Sequence, residues 1–487
     1  MTSPDAADAV KTAPDLGLRL DRCLASAVGE HGLEDDLLAD DGPAARTAAE
    51  LTRSLESTRG TGWERWRLLA EEPMRSEHLR AVQALAQDYQ GLLDNVVVLG
   101  IGGSALGNLA LQSALNPLTH NLLPDQRRPG PRLFVLDNAD PVLVHQTLAL
   151  LADQDPRFDR TLFVVISKSG ETAETAAQFL IVRDRLMQAR GPGHADRLVA
   201  VTDPKTGTMR RLCDRFGYRT LPVPEGVGGR FSVLSPVGLC TAALCGIDVV
   251  GLLDGAAAME RACRNESLAD NPAARLATVL VHLGLRRGKT IHVMMPYANG
   301  LYLMADWWRQ LWAESLGKRV TKPGIGLVGP SDGSSAPVHV GFTPVKALGA
   351  TDQHSQVQLY REGPNDKAII FLEVQRFDAD VPIPAGLGEP ALSYLEGSSL
   401  GRLLAAEKRA TEFALTESRR PNLTIAFPRV TAHAVGQFVM LWQVATAYAG
   451  LMLGVDPYDQ PAVELGKQAT FALMGKPGYE ELAARLR

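Results

Sequence analysis

Four short apolar runs constrain the fold of this chain more than any other feature: VVVLG at 96–100, RLFVLD at 132–137, LFVVIS at 162–167 and RLVAVTD at 197–203. Each is rich in β-branched or aliphatic residues, ends in glycine, serine or aspartate, and precedes a helical pattern. Runs without polar alternation are strands buried on both faces, the setting of parallel sheets covered by crossover helices. The rhythm returns at TIHVMM (290–295), AIIFLEV (368–374) and LTIAF (423–427), after an Ala-rich helical stretch near 234–287. At 487 residues the chain also exceeds the roughly 250–300 at which a single core stops growing. The predicted fold class is α/β: two tandem doubly wound three-layer α/β/α domains with mainly parallel sheets, plus N- and C-terminal helical arms. The expected boundaries are an N-terminal helical arm at 1–90, a first α/β domain at 91–275, a second at 276–433 and a C-terminal helical arm at 434–487. Within the first arm, ARTAAELTRSLEST and SEHLRAVQALAQDYQGLL repeat apolar residues every three or four positions.

A net charge of −5 argues against nucleic acid or an anionic membrane as the main partner. The five cysteines (Cys23, Cys213, Cys240, Cys245 and Cys263) are odd in number and form no C-x-x-C pair, which suits free thiols in a reducing compartment. The opening MTSPDAADAVKTAPD lacks the apolar core of a secretion signal, so a cytoplasmic location is expected. AVGQFVMLWQVATAYAGLMLGV at 434–455 is uncharged, yet its Gln437, Gln443 and Thr446 fit a buried helix better than a membrane span. No His/Cys/Asp cluster has metal-ligand spacing, and no metal is expected.

Two turns in the first domain point to chemistry. VVVLGIGGSALG (96–107) leaves bare backbone N–H groups at a helix start, a setting for an anion. Gly100, Gly102 and Ala105 satisfy the loose dinucleotide form, but the next strand ends at Asp137, too far on for the ribose-binding acid. Gly288-Lys289-Thr290 precedes a strand and lacks the earlier glycine of a nucleoside-triphosphate loop. The second turn, Ser167-Lys168-Ser169-Gly170-Glu171-Thr172, also follows a strand and opens a helix. Its hydroxyls are within reach of one phosphate, although Ser and Thr also cap helices without any ligand. Two such turns in one sheet favour a small phosphorylated ligand over a nucleotide.

Four further stretches complete the pattern: EGVGGRFSVLSPVGL (225–239), QLWAESLGK (310–318), GATDQHSQVQLY (349–360) and DPYDQPAVELGKQ (456–468). In this order, with the two turns, they resemble the glucose-6-phosphate isomerase (phosphoglucose isomerase) family, whose sugar-isomerase (SIS) fold the resemblance implies over residues 90–475. It further implies reversible isomerisation of glucose 6-phosphate and fructose 6-phosphate, a step of glycolysis and gluconeogenesis, through ring opening and a cis-enediol. The expected assembly is a homodimer that needs no cofactor.

Moving a proton between adjacent carbons requires one well-placed base. Glu314 sits among Trp312, Ala313 and Leu316, which would desolvate it; an exposed Glu314–Lys318 pair at helical spacing is the alternative. The resemblance aligns Glu314 with the family's base. It gives Arg230, in a Gly228-Gly229 loop, the stabilisation of enediolate charge, and gives His354, lent by the partner subunit, and Lys467 parts in ring opening. Ser104, Ser167, Lys168, Ser169, Thr172 and Gln460 align with phosphate-site positions, and Gly102, Gly103 and Gly229 with the substrate loops. Glu171 departs from the threonine of many bacterial relatives and brings a carboxylate near the phosphate. Trp307, Trp308 and Trp312 read as core at helical spacing and not as a sugar-stacking cluster. The alternatives are a non-catalytic sugar-phosphate-binding regulator, and an isomerase also acting on mannose 6-phosphate.

Overall fold

The structure, a computed structural model, describes residues 15–320, 327–328 and 337–486. It opens with a three-residue strand, β1 (Gly17–Arg19), followed by the helices Ala45–Thr58 and Met74–Asp88. The first sheet then forms from β2 (Asn95–Leu99), β3 (Arg132–Leu136), β4 (Thr161–Ile166), β5 (Leu198–Thr202) and β6 (Arg219–Pro222). Its order is β3-β2-β4-β5-β6 and every pairing is parallel, with Val98 opposite both Val135 and Val164. Every residue of β2, β4 and β5 is buried, as unbroken apolar runs require. Strand order reverses between β2 and β4, and the two serine-rich turns leave the carboxyl ends of these neighbours. They flank the crevice where open α/β sheets bind ligands.

The second sheet uses β7 (Ile291–Pro296), β10 (Thr343–Lys346), β11 (Lys367–Val374) and β12 (Asn422–Phe427) in parallel. Between β7 and β10, β8 (Lys318–Val320) and β9 (Pro337–Val340) make a separate antiparallel pair. Residues 15–90, expected as helices alone, also contribute β1, which pairs antiparallel with β12 at Gly17 opposite Ala426. This covers an edge that would otherwise present unpaired backbone groups.

The uncharged stretch forms the helix Ala432–Met452, buried along nearly its whole length. Two of its amide side chains bond inside the protein: Gln437 Oε1 accepts from the main-chain N–H groups of Asp15 and Leu16, and Gln443 Nε2 donates to the carbonyl of Phe231 at 3.0 Å. Among the described residues no helix is long and apolar enough to cross a membrane. Trp308 and Trp312 pack against Trp442 at 5.3 and 5.5 Å between ring centroids, and Trp307 is buried beside Phe438. These three tryptophans are core, as their spacing indicates.

Candidate active site

Glu314 lies in the last turn of the helix Tyr302–Leu316, whose Leu311, Trp312, Ser315 and Leu316 are buried. The neighbouring Lys318 ammonium donates to the main-chain carbonyls of Glu314 at 2.7 Å and Asp459 at 2.9 Å, closing the helix end. It therefore does not form the surface pair with the Glu314 side chain that i, i+4 spacing offered. The carboxylate instead faces Arg230, with Nη1 3.4 Å from Oε2, and Gln310 Nε2 stands 3.4 Å from the same oxygen.

Arg230 is buried. Its Nε donates to Ser315 Oγ at 2.7 Å, Nη1 to Gln460 Oε1 at 2.9 Å, and Nη2 to the carbonyls of Pro457 and Asp459 at 2.5 and 3.1 Å. Burial pulls its pKa down, opposed by the carboxylates of Glu314, Asp459 and Asp456. A guanidinium stays cationic under such a shift, and its planar fork is fixed by four oxygen partners besides Glu314.

The first turn touches this arrangement directly. A Cβ on Gly103 would stand 2.3 Å from the carbonyl carbon of Gly229, and one on Gly102, where φ is +56°, would stand 3.0 Å from Gln310 Nε2. Only glycines let the two loops approach so closely. Ser104, half-buried, ends this turn. A cavity of about 470 Å³ results, lined by Lys168, Arg230, Gln310, Glu314 and Gln460 among others.

A second cavity of about 350 Å³ is lined by Ser169, Thr172 and Lys467, and Glu464 borders both cavities. In the second turn the Ser167 hydroxyl accepts from Gly170 N–H at 3.0 Å and that of Ser169 from Glu171 N–H at 3.1 Å. Thr172 begins the helix Ala173–Arg190 without a side-chain cap bond. Lys467, exposed on the helix Glu464–Leu473, pairs with Glu464 at 2.7 Å. The departure at Glu171 is balanced locally: Thr208 Oγ1 donates to it at 2.8 Å and Lys476 Nζ lies 3.7 Å away. These two contacts, the hydroxyl first, lower its pKa.

The single chain thus brings Glu314, Arg230, Gln460, Lys168 and the glycine loops together, with Lys467 and Ser169 in the adjoining cavity. It does not bring His354 to them. That residue is exposed in the turn Thr351–His354 and lines neither cavity.

A family model described as phosphoglucose isomerase matches residues 75–383 and 397–481. The chain belongs to the phosphoglucose isomerase family. It is 46% identical over 406 residues to the glucose-6-phosphate isomerase of Carboxydothermus hydrogenoformans, covering 83% of this chain and 84% of that one. It is 43% identical to that of Rubrobacter xylanophilus, covering 91% and 97% respectively. Among solved structures, a hypothetical protein of Thermus thermophilus superposes with a TM-score of 0.81 at 35% identity, over 94% of this chain and 100% of that one. The glucose-6-phosphate isomerase of Chlamydia trachomatis shares the fold, with a TM-score of 0.76 at 20% identity over 96% of each chain.

Within this phosphoglucose isomerase fold, several residues in or behind the cavity were not legible in the sequence. Gln310 and Ser315 share a helix with Glu314, and helical spacing alone would have found Gln310 one turn away. Tyr458 and Asp459 lie inside DPYDQPAVELGKQ, but nothing in the motif tells which of its groups meet Arg230. Trp63 comes from the N-terminal segment, far from every motif.

Proposed function

We propose that the chain interconverts glucose 6-phosphate and fructose 6-phosphate, with Glu314 moving the proton between C2 and C1 through a cis-enediol. The observation that carries this reading is the Glu314–Arg230 pair, 3.4 Å apart in a cavity that also receives Lys168 from the second turn. A carboxylate accepts the proton from the carbon beside the open-chain carbonyl and returns it to the neighbouring carbon. Negative charge then builds on the enediolate oxygens, and a guanidinium already fixed by four oxygen acceptors meets that charge without reorganising.

In the same reading the phosphate binds at Ser104, Ser167, Lys168, Ser169 and Thr172, where the helix starts Leu106–Leu115 and Ala173–Arg190 offer free N–H groups. Gln460, whose Oε1 accepts from Arg230, belongs to the phosphate site in the same reading. Lys467 and His354 assist ring opening, His354 reaching the site of the partner subunit in a homodimer. All five cysteines are free and buried, in keeping with a cytoplasmic site of action.

The test is a coupled assay that supplies fructose 6-phosphate, detects glucose 6-phosphate and contains EDTA. Turnover under these conditions is expected. Binding of the sugar phosphate without turnover would make the protein a regulator, and faster conversion of mannose 6-phosphate would change the substrate assignment.

A further inference from the structure

Among the six tryptophans of the chain, one stands at the cavity. Trp63 lines it together with Glu314 and Arg230 and is 50% exposed, whereas Trp307, Trp308 and Trp312 are buried in the core. It belongs to the N-terminal segment. The Lys168 ammonium lies over its ring, 5.0 Å from the centroid.

Trp63 is held there by the packing of its own turn, Gly62–Leu68. Trp66 stacks on Phe231, the neighbour of Arg230, at 5.0 Å. Arg67, fully buried, donates to Glu260 at 2.9 Å, to Glu56 at 2.7 Å and to the carbonyl of Leu55 at 2.7 Å. The loop that delivers Arg230 presses on the same turn: Gly226 has φ +71°, and a Cβ there would stand 2.1 Å from the carbonyl oxygen of Gly62. The turn is thus anchored on three sides and carries the indole to the cavity.

We propose that Trp63 is a positioning residue for Lys168, holding the ammonium of the second turn over its indole face so that it meets the phosphate of the bound sugar. The inference rests on the isomerase reading for the identity of the sugar, but not for the anion. A lysine has four rotatable side-chain bonds, and an unheld ammonium loses that freedom when it binds. The indole, with the strongest ring quadrupole of the aromatic side chains, restrains it beforehand. The ring occupies one face of the ammonium and leaves its remaining N–H donors for phosphate oxygens. Among the described residues no carboxylate forms a salt bridge with this ammonium; Asp203 feels its charge, with its own pKa lowered chiefly by the backbone N–H of Lys205. The N-terminal segment is in this way a working part of the site.

The experiment titrates inorganic phosphate into wild type, Trp63→Phe, Trp63→Leu, Lys168→Met and the Trp63→Leu/Lys168→Met double variant by calorimetry at low salt. Fructose 6-phosphate kinetics are measured beside it. Trp63→Leu should weaken phosphate by about two- to fivefold, the range of an exposed cation–π contact. It should raise KM by the same factor and leave kcat within about twofold, since Lys168 does not touch the reacting carbons. Trp63→Phe, which keeps a ring face, should recover most of the loss. In the Lys168→Met background, Trp63→Leu should cost nothing further. Unchanged phosphate affinity in Trp63→Leu, or the same loss with and without Lys168, would overturn the proposal, as would a wild type that binds no phosphate. A wild type that binds phosphate but turns over no sugar would refute the isomerase reading alone, because the phosphate affinities still decide the coupling.

Discussion

Arg230 is gripped by two consecutive residues of one helix: Nη1 lies 3.4 Å from Glu314 Oε2, and Nε donates to Ser315 Oγ at 2.7 Å. Adjacent helical residues do not face the same way, so the guanidinium straddles the helix end. Its placement relative to the carboxylate depends on both contacts.

Ser315→Ala should therefore disturb catalysis without touching substrate. The variant leaves the Nε–H of a buried cation unpartnered, a cost of about 1–3 kcal/mol. Part of that cost should appear as a tilt of the guanidinium away from the reacting atoms. A fall in kcat of about tenfold is expected, with KM changed by less than about threefold. Steady-state kinetics with a thermal melt check this; an unchanged kcat would separate Ser315 from the placement of Arg230.

Gly103→Ala should be far more damaging. Its Cβ would stand 2.3 Å from the Gly229 carbonyl carbon, and neither partner is a side chain that can swing aside. The first turn and the Arg230 loop must separate, and displacements near 1 Å cost about 100-fold in rate. Gly193→Ala is the control, because a Cβ there meets nothing within 4 Å. The expected result is loss of kcat/KM by about 100-fold or more in the first variant and none in the second.

His292 ties the helix of Glu314 to β7 and should make the fold sensitive to acid. Trp312 Nε1 donates to His292 Nδ1 at 3.0 Å, so Nε2 carries the proton and meets the carbonyl of Lys289 at 3.1 Å. Complete burial pushes its pKa from 6.5 down to about 3. At pH 5 the unfolded chain binds a proton here and the folded chain does not. The stabilisation is thus complete above pH 6.5 and declines as pH falls towards 3. Relative to His292→Phe, wild type should lose about 2 kcal/mol of unfolding free energy between pH 7.5 and 5. Denaturant titrations at the two pH values measure it, and a constant difference would show that the imidazole protonates freely in the fold.

The proposed loan of His354 across a dimer interface makes a qualitative prediction. Glu314→Gln and His354→Gln homodimers are each impaired at both sites. A hybrid dimer unites the intact Glu314 of one chain with the intact His354 of the other, so mixing and reassociating the two variants should restore activity. If His354 served its own chain's site, every site of the hybrid would remain defective and no recovery would appear.

The legible parts of the molecule share a physical cause. β2, β4 and β5 read directly because strands buried on both faces have no polar positions, and the turns after β2 and β4 read because glycine and serine punctuate them. β1 did not read, since three residues are too few to show a period and its pairing is decided by an edge more than 400 positions away. Arg230 was visible as a loop arginine, but its partners Ser315, Pro457, Asp459 and Gln460 lie 85 to 230 residues further on. Trp63 gave no signal at all: a tryptophan in a short turn reads the same whether it faces solvent, core or a cavity. Glu314 was ambiguous between a surface pair and a facing cation until Lys318 was found on the main chain.

The most direct measurement is the coupled assay of Glu314→Gln beside wild type, with binding of glucitol 6-phosphate, an open-chain analogue that cannot isomerise, measured on both. The amide keeps the shape and loses the base. In Glu314→Gln kcat should fall by about 100- to 10,000-fold, the span of general base catalysis, while analogue affinity stays within about threefold. Turnover in Glu314→Gln comparable to wild type would contradict the assignment of the proton transfer to this residue.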